Sequence, residues 1–169
     1  DVCSSDLLAR YSGMCREVFD TLCDNGLGIQ QMDCPETLYL GIQRWWYTKN
    51  LYDCRGFRDH CRELAERSVT YMEEYAREGY KVVAVLSCDG SPTCGVTITS
   101  YDKNWGGSPV ELSYNDAIVQ GKGVYIEELE KAIQARGLEV PPFYGLALDD
   151  ESVDLPKIIS DFRDFIQSV

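Results

Sequence analysis

The sequence MDCPE at positions 32–36, with a distant counterpart SPTCG at positions 91–95, decides the fold that we expect for this chain. Each stretch follows a short apolar run, residues 27–29 in the first case and 82–86 in the second, which predicts a buried strand. A proline close to each cysteine disfavours helix and holds the backbone extended. Open α/β sheets place ligand sites at the carboxyl ends of their strands. We therefore expect Cys34 and Cys94 to face one crevice at that edge of the sheet.

Segments with helical spacing alternate with these strands along the chain. The apolar patterns and the caps predict a last strand over 141–146 and helices over 8–24, 37–42, 57–78, 124–136 and 155–167. Such alternation gives a parallel sheet that helices cover on both faces. The polar, glycine-containing segment 100–119 predicts a surface excursion. The expected fold is α/β: a single three-layer, Rossmann-like domain over residues 8–169 with a short parallel sheet.

The beginning of the sequence departs from this pattern. Residues 1–7 match the reading-frame translation of a common sequencing adapter, so we expect them to be a non-native leader. After them the chain supplies a helix and then a strand, which is the order of a βα unit without its β. The first strand of the sheet is therefore expected to be missing.

Composition and charge exclude several classes of function. The 28 acidic residues outnumber the 16 basic ones and give a formal net charge of -12. Nucleic acids and anionic membrane surfaces would be repelled by most of this surface. The sequence contains no apolar run of about 18 residues and no charged leader followed by an apolar stretch. We expect a cytoplasmic protein whose partners include neither nucleic acid nor membrane.

Eight cysteines are many for a chain of this size. Disulfides are one interpretation, but the ample apolar content and the expected compartment favour reduced thiols with metal-binding or catalytic roles. Cys15 and Cys61 fall on apolar helical stripes and are predicted to be core residues. Cys23 and Cys54 have no distinguishing context. Five residues separate Cys88 from Cys94, an unusual spacing for a zinc site.

Three further features leave alternatives open. The aromatic residues Trp45, Trp46, Tyr47 and Tyr52 either wall a pocket for a flat ring or pack as a lid on the core. The only histidine, His60, is expected to be a solvated residue on the polar face of its helix. The run GKG at positions 121–123 opens a helix and gives a weak signal for anion binding.

The two cysteine stretches also carry polar side chains that suit chemistry. Iron–sulfur clusters need thiolates that converge in space, and three thiolates leave one iron open to substrate. Glu36 lies two residues from Cys34 and is either an acid or base beside such a cluster or a carboxylate favoured by the dipole of the following helix. The Ser91 hydroxyl is a candidate for positioning water or a leaving group.

Taken together, CPE at 34–36, SPTCG at 91–95 and GKGVYIEEL at 121–129 resemble the thiouracil desulfidases and their relatives, over residues 8–148. The resemblance implies a small Rossmann-like domain in which three cysteines hold a 4Fe-4S cluster, with one iron free to take sulfur from a thiolated small molecule such as a thio-nucleobase. It implies that Cys34 and Cys94 are cluster ligands, that Glu36 transfers a proton, and that Ser91 helps at the substrate.

The resemblance is incomplete at the third ligand. The family carries its first cysteine at the end of its first strand, and the surroundings of Cys3 do not match that pattern. We therefore expect the third cluster ligand to be absent and the cluster to bind poorly to this chain. The alternative functions are a non-catalytic iron–sulfur or metal-binding module, a sulfur carrier, and a nucleotide-binding α/β domain without metal.

Overall fold

A computed structural model describes residues 14–44, 47–106, 113–148 and 153–169. The helices are α1 (Arg16–Asp24), α2 (Pro35–Leu40), α3 (Lys49–Tyr52), α4 (Arg55–Arg77), α5 (Tyr114–Ala117), α6 (Val124–Ala135) and α7 (Leu155–Ser168). The strands are β1 (Val85–Cys88), β2 (Ile98–Ser100), β3 (Ile118–Gln120) and β4 (Phe143–Leu146). Within these ranges no helix has the length and apolarity that crossing a bilayer requires.

A short parallel sheet of β1 and β4 separates two layers of helices. Val85 pairs with Phe143 in this sheet, and both side chains pack into the cluster that α4 and α6 form. The next pair along, Leu86 and Tyr144, packs with residues of α1 and α7 on the other face. Successive side chains of a strand point to opposite faces, so this alternation places apolar residues on both. The predicted α/β class with a short parallel sheet is confirmed.

The strand predicted over residues 27–29 is wrong, because the structure has no strand anywhere between residues 27 and 34. Leu27 packs against the cluster of α1 and α7, but Gly28 is exposed and 52% of Ile29 is exposed. A run with one buried side chain and no neighbouring strand has nothing to hold it in a sheet. Cys34 therefore follows an irregular segment.

The segment predicted as a surface excursion contains regular structure. Its two ends form an antiparallel pair of strands in which Thr99 of β2 lies opposite Val119 of β3. Thr99 is buried, whereas Val119 is exposed. The pattern over three-residue strands is too short to distinguish them from a loop. Residues 107–112, inside this segment, lie outside the described ranges.

The loop that follows β1 is held by the carboxylate of Asp89. This buried side chain accepts hydrogen bonds through Oδ1 from the backbone N–H groups of Val96 at 2.7 Å and Thr97 at 2.9 Å. Such donors satisfy a buried carboxylate and fix the path of the loop. The loop carrying SPTCG is thereby tied to the end of the parallel sheet.

The first turn of α6 forms hydrogen bonds with the same loop. The N–H groups of Gly123, Val124 and Tyr125 donate to the carbonyl groups of Gly95, Pro92 and Thr93, at 2.8, 3.1 and 2.9 Å. These are the groups that a helix leaves unpaired at its start and that an anion would need. The start of α6 is therefore attached to the SPTCG loop, and the amides of Gly123, Val124 and Tyr125 are not free for an anion.

Gly123 is required at this contact because no side chain fits there. A Cβ atom at this position would lie 2.3 Å from the carbonyl carbon of Thr93. We predict that Gly123→Ala lowers the free energy of unfolding by about 1–3 kcal/mol, as expected for overpacking against backbone. Gly28→Ala is the control, because Gly28 has open space around it and no positive φ. Urea unfolding followed by circular dichroism measures both, and equal stabilities would contradict the prediction.

Candidate functional site

The two cysteine stretches meet in the structure through one short hydrogen bond. Thr93 Oγ1 donates to Glu36 Oε1 at 2.6 Å, although 57 residues separate the two positions. Glu36 belongs to the first turn of α2, and Thr93 belongs to the loop that α6 seats. The cysteines lie beside these residues in the chain, so this bond draws the two loops to one place.

Cys34 is the residue that begins α2. Its backbone is extended, and its Sγ accepts a hydrogen bond from the N–H of Thr37 at 3.5 Å. The next residue, Pro35, has no N–H and is favoured at the first helical position. The thiol is 7% exposed. The sequence CPE thus forms the start of α2, and the Cys34 side chain is buried there.

Cys94 is half-buried and has polar neighbours. Burial raises the pKa of its thiol to about 12, and the nearby Glu36 and Cys34 act in the same direction. The neighbouring polar hydroxyl groups of Thr93, whose Oγ1 lies 3.4 Å from Sγ, and of Ser91 act against this rise. Without a bound metal the thiol is therefore protonated at neutral pH.

The carboxylate of Glu36 is enclosed by donors from three parts of the chain. Its Oε2 accepts hydrogen bonds from Arg44 Nε at 2.9 Å and from the Tyr52 hydroxyl at 3.1 Å, while Thr93 occupies Oε1. The side chains of Arg44 and Glu36 are only 4% and 13% exposed. Burial and the Glu36 carboxylate raise the pKa of Tyr52, so its hydroxyl remains a donor. Glu36 therefore lies at a helix start and also joins three separate parts of the chain through its carboxylate.

Ser91 lies within the turn that precedes Cys94. Its Oγ accepts hydrogen bonds from the backbone N–H of Cys94 at 3.0 Å and of Thr93 at 3.3 Å. The hydroxyl hydrogen of Ser91 is then available to Thr93 Oγ1, which lies 3.3 Å from Ser91 Oγ. The structure shows Ser91 holding the turn, and its role at a substrate stays a prediction.

His60 does not lie on a solvated face as expected. The side chain is half-buried, and Nε2 lies 3.0 Å from the carbonyl oxygen of Pro35. Because a carbonyl only accepts, Nε2 carries the hydrogen. The ring also contacts Tyr39 and Phe57. His60 therefore fastens α2 to α4 close to the Cys34 turn, and helical periodicity alone did not reveal this contact.

The described part of the aromatic loop packs on the core. Tyr52 is buried, with its ring centroid 4.6 Å from that of Phe57 and 5.6 Å from that of Tyr47. This agrees with the lid interpretation for these residues. Trp45 and Trp46 lie outside the described ranges.

The remaining cysteines occupy other positions. Cys61 is fully buried in the cluster of α4 and α6, as predicted, whereas Cys15 is half-buried and precedes the first residue of α1. Cys23 and Cys54 are exposed. Cys15, Cys23, Cys54, Cys61 and Cys94 are free thiols, and Cys88 is half-buried at the end of β1. Cys3, with all of residues 1–7, lies outside the described ranges.

No three His, Cys, Asp or Glu side chains of the described residues form a group that could hold a metal ion. The structure thus brings two candidate ligands and a carboxylate into one region, while a third ligand is not found in the part of the chain that it describes. Arg44 and Thr93, which contact the carboxylate, were not singled out by the sequence, and Tyr52 was noted only as one of the loop aromatics. Thr93 lies inside the SPTCG motif, which could have indicated it.

Comparison with known proteins gives one distant relative. The chain is 26% identical over 162 residues to Uncharacterized protein MJ0003 of Methanocaldococcus jannaschii, an alignment that covers 96% of this chain and 83% of the relative. The chain matches no family model and no solved structure. The name of the relative carries no activity, so a functional proposal must rest on the site.

The buried ion pair of Arg44 and Glu36 generates a stability prediction. We predict that Arg44→Met lowers the free energy of unfolding by about 3–5 kcal/mol, because it leaves a buried carboxylate without its cation. Adding Glu36→Gln should recover part of that loss. Arg16→Met is the control: Arg16 pairs with Asp20 at the surface, 3.4 Å away, where a change below about 1 kcal/mol is expected. If urea unfolding showed that Arg44→Met and Arg16→Met lower the free energy of unfolding equally, the prediction would be contradicted.

The raised pKa of Cys94 generates a prediction of reactivity. In metal-free protein at pH 8 the Cys94 thiol is overwhelmingly protonated, because burial raises its pKa. We predict that iodoacetamide modifies Cys94 at least about tenfold more slowly than the exposed Cys23 and Cys54, and that its rate rises with pH. Mass spectrometry of timed samples measures the three rates, with urea-unfolded protein as the control. Equal rates in folded protein would contradict the assignment.

Proposed function

We propose that this protein is a desulfidase that removes sulfur from a thiolated small molecule, with Cys34 and Cys94 as ligands of a 4Fe-4S cluster and Glu36 as the proton-transfer residue. The observation that carries the proposal is the 2.6 Å bond between Thr93 and Glu36, since it brings the two cysteine loops and the carboxylate into one region. Such a combination of thiols with a fixed acid–base group suits hydrolysis at a carbon–sulfur bond.

A donor near one of the two sulfurs suits a thiolate ligand. The N–H of Thr37 lies 3.5 Å from Cys34 Sγ. Hydrogen bonds to cysteine sulfur tune iron–sulfur clusters. The residues present therefore fit two of the three ligands that the resemblance implies. The third would have to come from outside the described ranges.

In the proposed reaction, water replaces sulfur at carbon, so a C–O bond forms as the C–S bond breaks and sulfide leaves. When bound, the cluster would supply a Lewis-acidic iron for the sulfur of the substrate. Glu36 would take a proton from the water and return it to the leaving sulfur, which balances the reaction without oxidation or reduction. Arg44 and Tyr52 hold this side chain, which is 13% exposed, in place.

The net charge of the whole chain favours a small uncharged substrate. With a net charge of -12, polyanionic partners are disfavoured, whereas a neutral thio-nucleobase meets no such barrier. We place the protein in the cytoplasm, where thiols remain reduced and can bind iron. A sulfur-carrier role is less well supported, because a carrier thiol must be reached by its partners and Cys34 is 7% exposed.

Anaerobic reconstitution with iron and sulfide, followed by a sulfide-release assay on thiouracil, tests the proposal. Because only two of the three ligands are matched, we predict that the wild-type chain binds iron weakly, with low but measurable visible absorbance and sulfide release. Cys34→Ser and Cys94→Ser should each lose most of the bound iron, whereas Cys54→Ser, at an exposed thiol, should retain it. Glu36→Gln should keep the iron and release sulfide about 10²–10⁴-fold more slowly, as expected when an acid–base group is lost.

Two outcomes would contradict the proposal in different ways. A coloured protein that releases no sulfide would favour the non-catalytic iron–sulfur module. A colourless protein would remove the cluster from the proposal. Because two ligands bind iron weakly, a parallel titration with Co²⁺ tests the thiol pair alone: intense sulfur-to-cobalt absorbance should appear in wild type and in Cys54→Ser, and should fall in Cys34→Ser and Cys94→Ser.

A further inference from the structure

We infer that Thr93 is a positioning residue for the proposed reaction, and that it acts by fixing the Oε1 oxygen of Glu36. The inference rests on the proposed function of Glu36 in proton transfer. Thr93 is 1% exposed, so it does not touch a substrate itself. Its hydroxyl lies 2.6 Å from Oε1, the shortest of the three contacts that the carboxylate makes.

The number of donors around Glu36 identifies the oxygen that remains available. An ionised carboxylate offers about four acceptor positions on its two oxygens. Among the donors that the described ranges provide, Arg44 and Tyr52 both contact Oε2, whereas only Thr93 contacts Oε1. These donors leave one acceptor position, and it lies on Oε1. A proton moving to or from Glu36 would use the oxygen whose direction Thr93 sets.

The direction of the Thr93 hydroxyl is itself fixed by the fold. The carbonyl group of Thr93 accepts hydrogen bonds from the N–H groups of Tyr125 at 2.9 Å and Ile126 at 3.3 Å, and its N–H donates to Ser91 Oγ at 3.3 Å. Its backbone is thus held from both sides by α6 and by the turn. A hydroxyl has one hydrogen, and the carboxylate, which only accepts, takes it.

This arrangement divides the two hydroxyls of the SPTCG stretch between two tasks. Ser91 accepts backbone N–H groups and shapes the turn, while Thr93 reaches across to the carboxylate. The side chain that supports proton transfer is therefore Thr93, and it does so through Glu36.

Three variants of the full chain, reconstituted with iron and sulfide, test the inference. Thr93→Val should keep the iron content and leave KM for thiouracil within about twofold, but lower kcat by about 10- to 100-fold, as expected for loss of one hydrogen bond to a charged group. Thr93→Ser, which restores the hydroxyl, should recover kcat to within about threefold of wild type. Thr99→Val is the matched control, because Thr99 is buried in the same region and donates to the carbonyl of Ser91 at 2.9 Å without contacting Glu36. Its kcat should stay within about threefold of wild type.

A second measurement does not depend on activity or on the cluster. The side-chain carboxyl ¹³C resonance of Glu36, assigned with Glu36→Gln, should shift in Thr93→Val and stay in place in Thr99→Val. If Thr93→Val does not fold, Thr93→Ala removes the same hydroxyl with a smaller side chain. A wild-type kcat in the hydroxyl-free variant, or an unmoved resonance, would overturn the inference and leave the proposed function standing. An iron-loaded wild-type protein that releases no sulfide would instead overturn the proposed function, and with it the catalytic part of the inference.

Discussion

A buried carboxylate needs hydrogen-bond donors around it, and the candidate site depends on the donors that this chain provides for Glu36. Burial without such partners would cost several kcal/mol. The donors come from three separate segments: Arg44 follows α2, Tyr52 belongs to α3, and Thr93 lies in the loop after β1. Satisfying one charge therefore fixes three pieces of backbone relative to each other. The two cysteine loops are brought together as a consequence.

The two halves of the site are held by different forces. On one side, α6 packs against α4 through the main apolar cluster and seats its first turn on the loop that carries Cys94. On the other side, α2 has six residues, and its Leu38 and Tyr39 are largely exposed. This short helix is attached through the hydrogen bond of His60 to Pro35 and through the donors of Glu36. Packing of α6 together with its backbone hydrogen bonds thus positions Cys94, whereas Cys34 is positioned by polar contacts and by the ring contact of Tyr39 with Phe57.

The sequence predicted the parts of the fold whose signals are long. The amphipathic patterns over 124–136 and 155–167 correspond to α6 and α7 within a residue at each end, because a dozen positions with one apolar face leave little ambiguity. The three apolar residues 27–29 were mistaken for a strand, since a run that short does not reveal whether a partner lies beside it. In the site, the motifs indicated Cys34, Cys94 and Glu36. Arg44 belongs to no local pattern and Tyr52 only to the aromatic loop, and the contact of both with Glu36 depends on the tertiary fold.

The choice between Ser91 and Thr93 shows why a motif does not specify the role of each of its residues. Both are hydroxyl residues within SPTCG, and both are chemically able to support a proton transfer. The turn separates their roles. The backbone N–H groups of Thr93 and Cys94 donate to Ser91 Oγ, whereas the Thr93 hydroxyl contacts Glu36. Helix α6 fixes this turn, because Gly123 allows the helix to approach the carbonyl group of Thr93. A glycine 30 residues downstream therefore helps decide which hydroxyl reaches the carboxylate, and the motif GKG belongs to the same site as SPTCG without binding a ligand of its own.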